Sequence, residues 1–211
     1  MPVAEQFRRR HGVRSAWRLR PDGQVGIVAL SGSGAGRACA VRELLAQGAT
    51  GRVGLSPEYA DALDTSRALE IAAVARRCVP PGSAGVATID DDPVATIVAS
   101  APAFSGRAVR SLLDRVADVA PRERDVLLGT LRTWIKCGGN TSAAAQQLYC
   151  HRNTVRNRLL RIEELSGHLI KDPHGVAALA IAAEGARLLG ADLAPQAAQL
   201  IFASSAGPAV S

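Results

Sequence analysis

Apolar positions along the chain change their spacing partway through, and the change separates two kinds of structure. The first twenty residues, with RRRHGVR at 8–14, show neither alternation nor a helical stripe and read as a frayed basic start. VGIVAL (25–30) is a short apolar run bounded by PDG and SGSGAG, which predicts a buried strand. From Arg37 to Gln47, residues Ala40, Val41, Leu44 and Leu45 share one helical face, and Gly48 supplies the stop. RVGLS (52–56) predicts a second strand. Pro57 opens a helix to about Cys78, halted by Pro80 and Pro81, and GVATI (85–89) predicts a third strand. Alternating strands and helices of this kind predict a small mixed α/β layer.

After Asp92 the pattern becomes helical throughout. Pro93 sits at a first helical position behind a capping Asp. A helix follows from about Gly106 to Val119, and Pro121 starts the next. Leu127, Leu128, Leu131, Trp134 and Ile135 then form a core-facing stripe that ends at Gly138-Gly139. Asn140 is suited to cap a short Ala-rich helix, Thr141 to Leu148, and a turn at Tyr149-Cys150 leads into HRNTVRNRLLRIEEL (151–165), which stops at Gly167. Asp172-Pro173 caps a last helix with Leu179, Ala182, Ala186 and Leu189 inward, ended by Gly190. The Ala- and Ser-rich tail from 191 is expected to be loose. The fold class is therefore α+β: a basic segment (1–20), a mixed α/β domain (21–105), an all-α domain (106–190) and a tail (191–211).

Composition narrows the chemistry. Of 211 residues 47% are apolar but only 3% aromatic, so the core is built from Ala, Leu, Val and Ile. The net charge of +6 is unevenly placed. Residues 1–20 hold six Arg against one Glu, residues 21–110 are nearly balanced, and four Arg crowd into 152–161. A basic patch of this kind suits phosphate, although on many proteins it is only solvated surface. The four cysteines show no CxxC pair and the start shows no signal-peptide pattern, so reduced thiols in a cytoplasmic protein are expected. No recurrent zinc spacing emerges, so neither a metal nor a cofactor is expected. No apolar run approaches the ~20 residues of a membrane span.

The decisive stretch is 140–167. A short helix, a tight turn and a second helix form a helix-turn-helix unit. Ala144 and Ala145 supply the small residues such a crossing needs, Leu148 and Cys150 seal the corner, and Val155 and Leu159 anchor the second helix. That leaves His151, Arg152, Asn153, Arg156 and Asn157 exposed, with Arg158 and Arg161 to the sides. Arg bridges guanine O6 and N7, and Asn does the same to adenine N6 and N7. Thr154 is placed to donate to a phosphate at the helix N-terminus. These eight residues are the candidate DNA contacts. Two tempting motifs carry less. SGSGAGR (31–37) is neither a Walker loop nor GxGxxG, and reads as a tight turn. The acids at 90–92 read as a helix start.

GGNTSAAAQQLYCHRNTVRNRLLRIEELSG (138–167) closely resembles the C-terminal helix-turn-helix of PucR/CdaR-type transcriptional regulators, itself similar to the Fis-type DNA-binding tail. The resemblance runs from about Arg122 through Leu189. Upstream, VGIVALSG, RVGLSP and the helix to Cys78 resemble, less specifically, the degenerate GGDEF-like domain of that family. The GGDEF signature itself is absent, so no cyclase activity is expected. The resemblance implies a sequence-specific regulator, not an enzyme, binding double-stranded DNA; since one helix covers only a few base pairs, a homodimer or higher oligomer is expected. A sensor domain would precede these residues in such a regulator, and the chain is expected not to contain one. Whether a small-molecule effector exists is left open. Two other readings stay in view: a ligand-binding or enzymatic α/β protein with a structural basic helix, and a non-specific nucleoid-type binder. Tyr149 stands where helix-turn-helix corners use Gly. A left-handed backbone there costs a bulky residue ~1–2 kcal/mol, so a different turn is expected.

Overall fold

The computed structural model describes residues 14–21, 23–30, 36–113 and 119–189. Its contacts divide into two compact units, Met1–Thr88 and Ile89–Ser211. The SGSGA stretch (31–35), the start before Arg14 and the tail from Gly190 lie outside the described residues.

The first unit is α+β. Strands β1 (Ser15–Arg20) and β2 (Gly23–Val28) form an antiparallel hairpin in which Arg20 pairs with Gly23 and Trp17 with Gly26. Part of the segment read as a frayed start is thus a strand. Its charged residues are outward, and Trp17 turns in toward Val41 and Leu45. Helix α1 (Gly36–Gly48) supplies those two residues, and Val28, Leu30, Val53 and Val86 pack around them. Strand β3 (Arg52–Gly54) pairs in parallel with β4 (Gly85–Ala87), with Val53 opposite Val86. Among the described residues the strands therefore form two separate two-stranded sheets. Helix α2 (Thr65–Arg77) packs on β3 but starts eight residues after Pro57. Asp61 accepts from the Leu63 amide at 2.9 Å and caps a 3₁₀ turn (Ala62–Asp64), and the α-helix begins only beyond it.

Among its described residues the second unit has helices and no strands. It comprises α3 (Pro93–Ser100), α4 (Pro102–Leu113), α5 (Pro121–Lys136), α6 (Thr141–Gln147), α7 (Arg152–Ser166) and α8 (Pro173–Leu189). Asp92 caps α3 through the Ala95 amide at 3.0 Å, with Pro93 in the first turn. Asp172 caps α8 through the amides of His174 and Gly175. Helix α4 begins at Pro102, earlier than Gly106, and the carbonyl of Ala101 accepts from Phe104 and Ser105.

Helix α8 is the axis of this unit, packing against α3, α4 and α5. Its Gly185 faces Val109 of α4 so closely that a Cβ there would overlap the valine side chain. This crossing explains why the contacts divide between Thr88 and Ile89 and not between 105 and 106: α3 and α4 are bound to the helical unit through α8. The core comprises Leu127, Leu128, Leu131 and Trp134 of α5, Ala144 and Ala145 of α6, Val155, Leu159 and Ile162 of α7, and Leu179 and Ala183 of α8. Each fully buried leucine here contributes about 1.5–3 kcal/mol. Among the described residues, no helix is long and apolar enough to cross a membrane.

Candidate nucleic-acid interface

The interface is built on α6 and α7, and three backbone devices fix their relation. Asn140 caps α6, its Oδ1 accepting from Ser142 and Ala143 at 3.0 Å each. Beyond Leu148, the Tyr149 amide donates to Gln146 O at 3.2 Å and the Cys150 amide to Ala145 O at 3.0 Å. This is the Schellman arrangement, which satisfies the last carbonyls of a helix by placing one residue in the left-handed region. That residue is Tyr149, with φ 50°. The corner is left-handed after all, and the expectation of another turn type does not hold. Cys150, the next residue, is partly buried against the core and seals the turn.

The third device is His151, the N-cap of α7: its Nδ1 accepts from the Asn153 amide at 3.2 Å. The sequence placed this histidine among the exposed contacts, and it is exposed, but its ring also begins the helix. At the far end Gly167 closes α7 with φ 72°. The Glu163 carboxylate accepts from the Ile170 amide at 2.7 Å, which directs this acid into the following loop.

With Val155, Leu159 and Ile162 buried, α7 turns Arg152, Asn153, Arg156, Asn157 and Arg161 outward. Thr154 is half-buried. Arg161 pairs with Glu164 at 3.2 Å, an exposed ion pair worth about 0–1 kcal/mol and readily exchanged for a phosphate. Arg158 differs from the rest. It is half-buried, and its guanidinium donates to the hydroxyl of Thr130 on α5 at 3.2 Å. Thr130 is 1% exposed, and its hydroxyl donates in turn to Val126 O at 2.7 Å. Arg152, Asn153, Arg156, Asn157 and Arg161 thus lie outward, His151 stands at the N-terminus, and the half-buried Arg158 ties the helix to α5.

Of two further residues on this surface, one escaped the sequence reading and the other was read only as a corner residue. Leu160, 44% exposed, interrupts the polar face of α7. An apolar side chain on such a face suits a thymine methyl. Tyr149 is 95% exposed at the corner itself. Leu160 could have been found by its place in the helical repeat, since it lies off the Val155–Leu159–Ile162 stripe.

Comparison with known proteins agrees with this geometry. Residues 127–184 match the PucR C-terminal helix-turn-helix domain, so a helix-turn-helix of that type occupies the region built from α5 to α8. An uncharacterized protein of Mycobacterium tuberculosis is 38% identical over 68 residues, 32% of this chain and 16% of the relative. The purine catabolism regulatory protein of Bacillus subtilis is 40% identical over 68 residues, 32% of this chain and 13% of that protein. The matched segment therefore spans less than a fifth of these relatives' length.

Proposed function

We propose that this chain is a sequence-specific, DNA-binding transcriptional regulator of the PucR/CdaR type, with α7 as the helix that enters the major groove. The carrying observation is the division of α7 into two faces: Val155, Leu159 and Ile162 buried, and Arg152, Asn153, Arg156 and Asn157 outward at its N-terminal half. A recognition helix reads base edges from its N-terminal residues. The helix-turn-helix match at 127–184 and the regulatory relative support the same reading. In this reading His151, Thr154 and Arg161 hold phosphates, Arg158 orients α7, and the first unit is the degenerate GGDEF-like domain. The protein acts in the cytoplasm and needs neither cofactor nor catalysis.

One recognition helix covers only a few base pairs, so the active species is a homodimer or higher oligomer on two half-sites about 34–36 Å apart. Selection of bound sequences from a random duplex library, followed by competition with scrambled DNA, tests the proposal. A two-fold motif that scrambled DNA fails to displace is expected. Equal competition by every duplex would leave only a non-specific binder, and absence of duplex binding would return α7 to a structural role.

A further inference from the structure

Beside α7 lies a feature that base reading does not use. An open groove of about 410 Å³ runs between α5 and α7. Its walls carry three cations, Arg132 and Lys136 from α5 and Arg158 from α7, with Val126 and Leu148 as the apolar parts. Among the described residues no carboxylate lines it. Arg158 is not a loosely solvated charge here: the buried Thr130 hydroxyl holds one of its N–H groups, which leaves the other donors of the guanidinium fork pointing elsewhere. Arg132 is likewise held, donating to Ala183 O at 3.3 Å. Its guanidinium is more easily deprotonated than usual because burial disfavours the charge and Arg187 repels it, although Glu184 and Asp125 offset part of this.

The groove also continues a line of groups on α7. Thr154, Arg158 and Arg161 stand at i, i+4 and i+7, so they share one flank of the helix, and Arg158 of that flank lines the groove. Three cations lining one groove, two of them held by hydrogen bonds, match the chemistry of a tetrahedral anion.

We propose that this groove is a phosphate-binding site, with Lys136, Arg132 and Arg158 as its cationic walls. The flank on α7 favours a phosphate of the DNA backbone as the source, and to that extent the proposal rests on the DNA-binding reading. A free phosphate ion offers the same chemistry, and the experiment separates the two. Lys136 is the residue to change, because it is exposed and its loss leaves the core intact.

In the full chain, Lys136→Gln, Lys136→Arg and Arg156→Ala would be compared with the parent. DNA affinity is measured at several salt concentrations, and thermal stability in inorganic phosphate against chloride of equal ionic strength. With DNA as the source, Lys136→Gln reduces the salt slope by about one on cognate and scrambled duplexes alike, and Lys136→Arg restores it. Over a fourfold rise in salt, the parent then loses about 3.5-fold more affinity than the variant, from a slope of ~0.9 per phosphate. With free phosphate as the source, millimolar phosphate raises the melting temperature of the parent, Lys136→Gln abolishes the rise, and the salt slope is unchanged. The site is overturned if Lys136→Gln keeps both the parent's slope and its response to phosphate. When Arg156→Ala meanwhile weakens DNA binding, the DNA reading survives that failure. Conversely, a parent that binds no duplex but is stabilised by phosphate through Lys136 keeps the groove and loses the DNA reading.

Discussion

Tyr149 occupies after α6 the position that Gly138 occupies after α5. Both are left-handed, with φ 50° and 63°, and both donate their amide to the third residue back, Gln146 O and Ile135 O. The residue after each, Cys150 or Gly139, donates to Ala145 O or Trp134 O. The two helices thus end in the same hydrogen-bonded motif. At Gly138 there is no Cβ to oppose it. At Tyr149 the left-handed region costs ~1–2 kcal/mol, and a ring 95% exposed returns little through packing.

Replacing Tyr149 by Gly should therefore stabilise the protein. Part of the relief is cancelled because Gly gains more freedom in the unfolded chain, by about 0.5–1 kcal/mol. A net gain of about 0.5–1 kcal/mol is expected in urea melts, with Tyr149→Asn falling between Gly and the parent. A destabilised Tyr149→Gly would mean that the ring supports the fold through contacts its exposure does not suggest.

The crossing of α4 and α8 predicts the opposite sign. Gly185 is buried, and an added Cβ would overlap the side chain of the fully buried Val109. Gly185→Ala should destabilise by about 1–3 kcal/mol, the usual range for overpacking. Combining it with Val109→Ala makes room, so the double variant should be more stable than the sum of the two single losses implies. Strict additivity in denaturant melts would show that the helices separate instead of clashing.

Partition of the chain can be tested by truncation. Helices α3 and α4 lie on α8, with the buried Val109 of α4 against Gly185. A fragment from Ile89 to Gly190 should melt cooperatively. One starting at Pro121 uncovers the α8 face and should melt several degrees lower. Equal melting temperatures would show that α3 and α4 add nothing to the helical unit.

What the sequence disclosed was mostly local. Asp92 before Pro93, Asn140 before Thr141 and Gly167 after Ser166 act through side chains or φ values within a few residues, and the leucine stripe of α5 follows from a 3.6-residue repeat. What it hid depended on distant partners. Trp17 turns β1 inward against Val41 and Leu45 of α1, although the charges of Arg18 and Arg20 make the strand look like solvent-exposed chain. The PDG that followed was a hairpin signal, and it was legible. Thr130 takes up Arg158 across 28 residues, a pairing periodicity cannot supply because it assigns a face but not a neighbour. Tyr149 is left-handed because two backbone hydrogen bonds and the burial of Cys150 outweigh a residue preference that, read alone, pointed to another turn.

The last prediction separates the two kinds of contact on α7. Arg156 lies one turn into the helix, is exposed, and has no ion pair among the described residues. Its position away from Val155 and Leu159 suits a base edge. Arg161 lies further along and is engaged with Glu164, which a phosphate would displace. Arg156→Ala should cost about 1–3 kcal/mol on the selected duplex and relax the preference at one base position. Arg161→Ala should weaken selected and scrambled duplexes alike and lower the salt slope by about one. Glu164→Gln frees Arg161 from its partner, so it should tighten binding slightly at low salt and leave sequence preference unchanged. Binding curves for the three variants at several salt concentrations decide the matter. If Arg156→Ala retains both affinity and preference, α7 does not read bases through its N-terminal half, and a different face of the helix-turn-helix must meet the duplex.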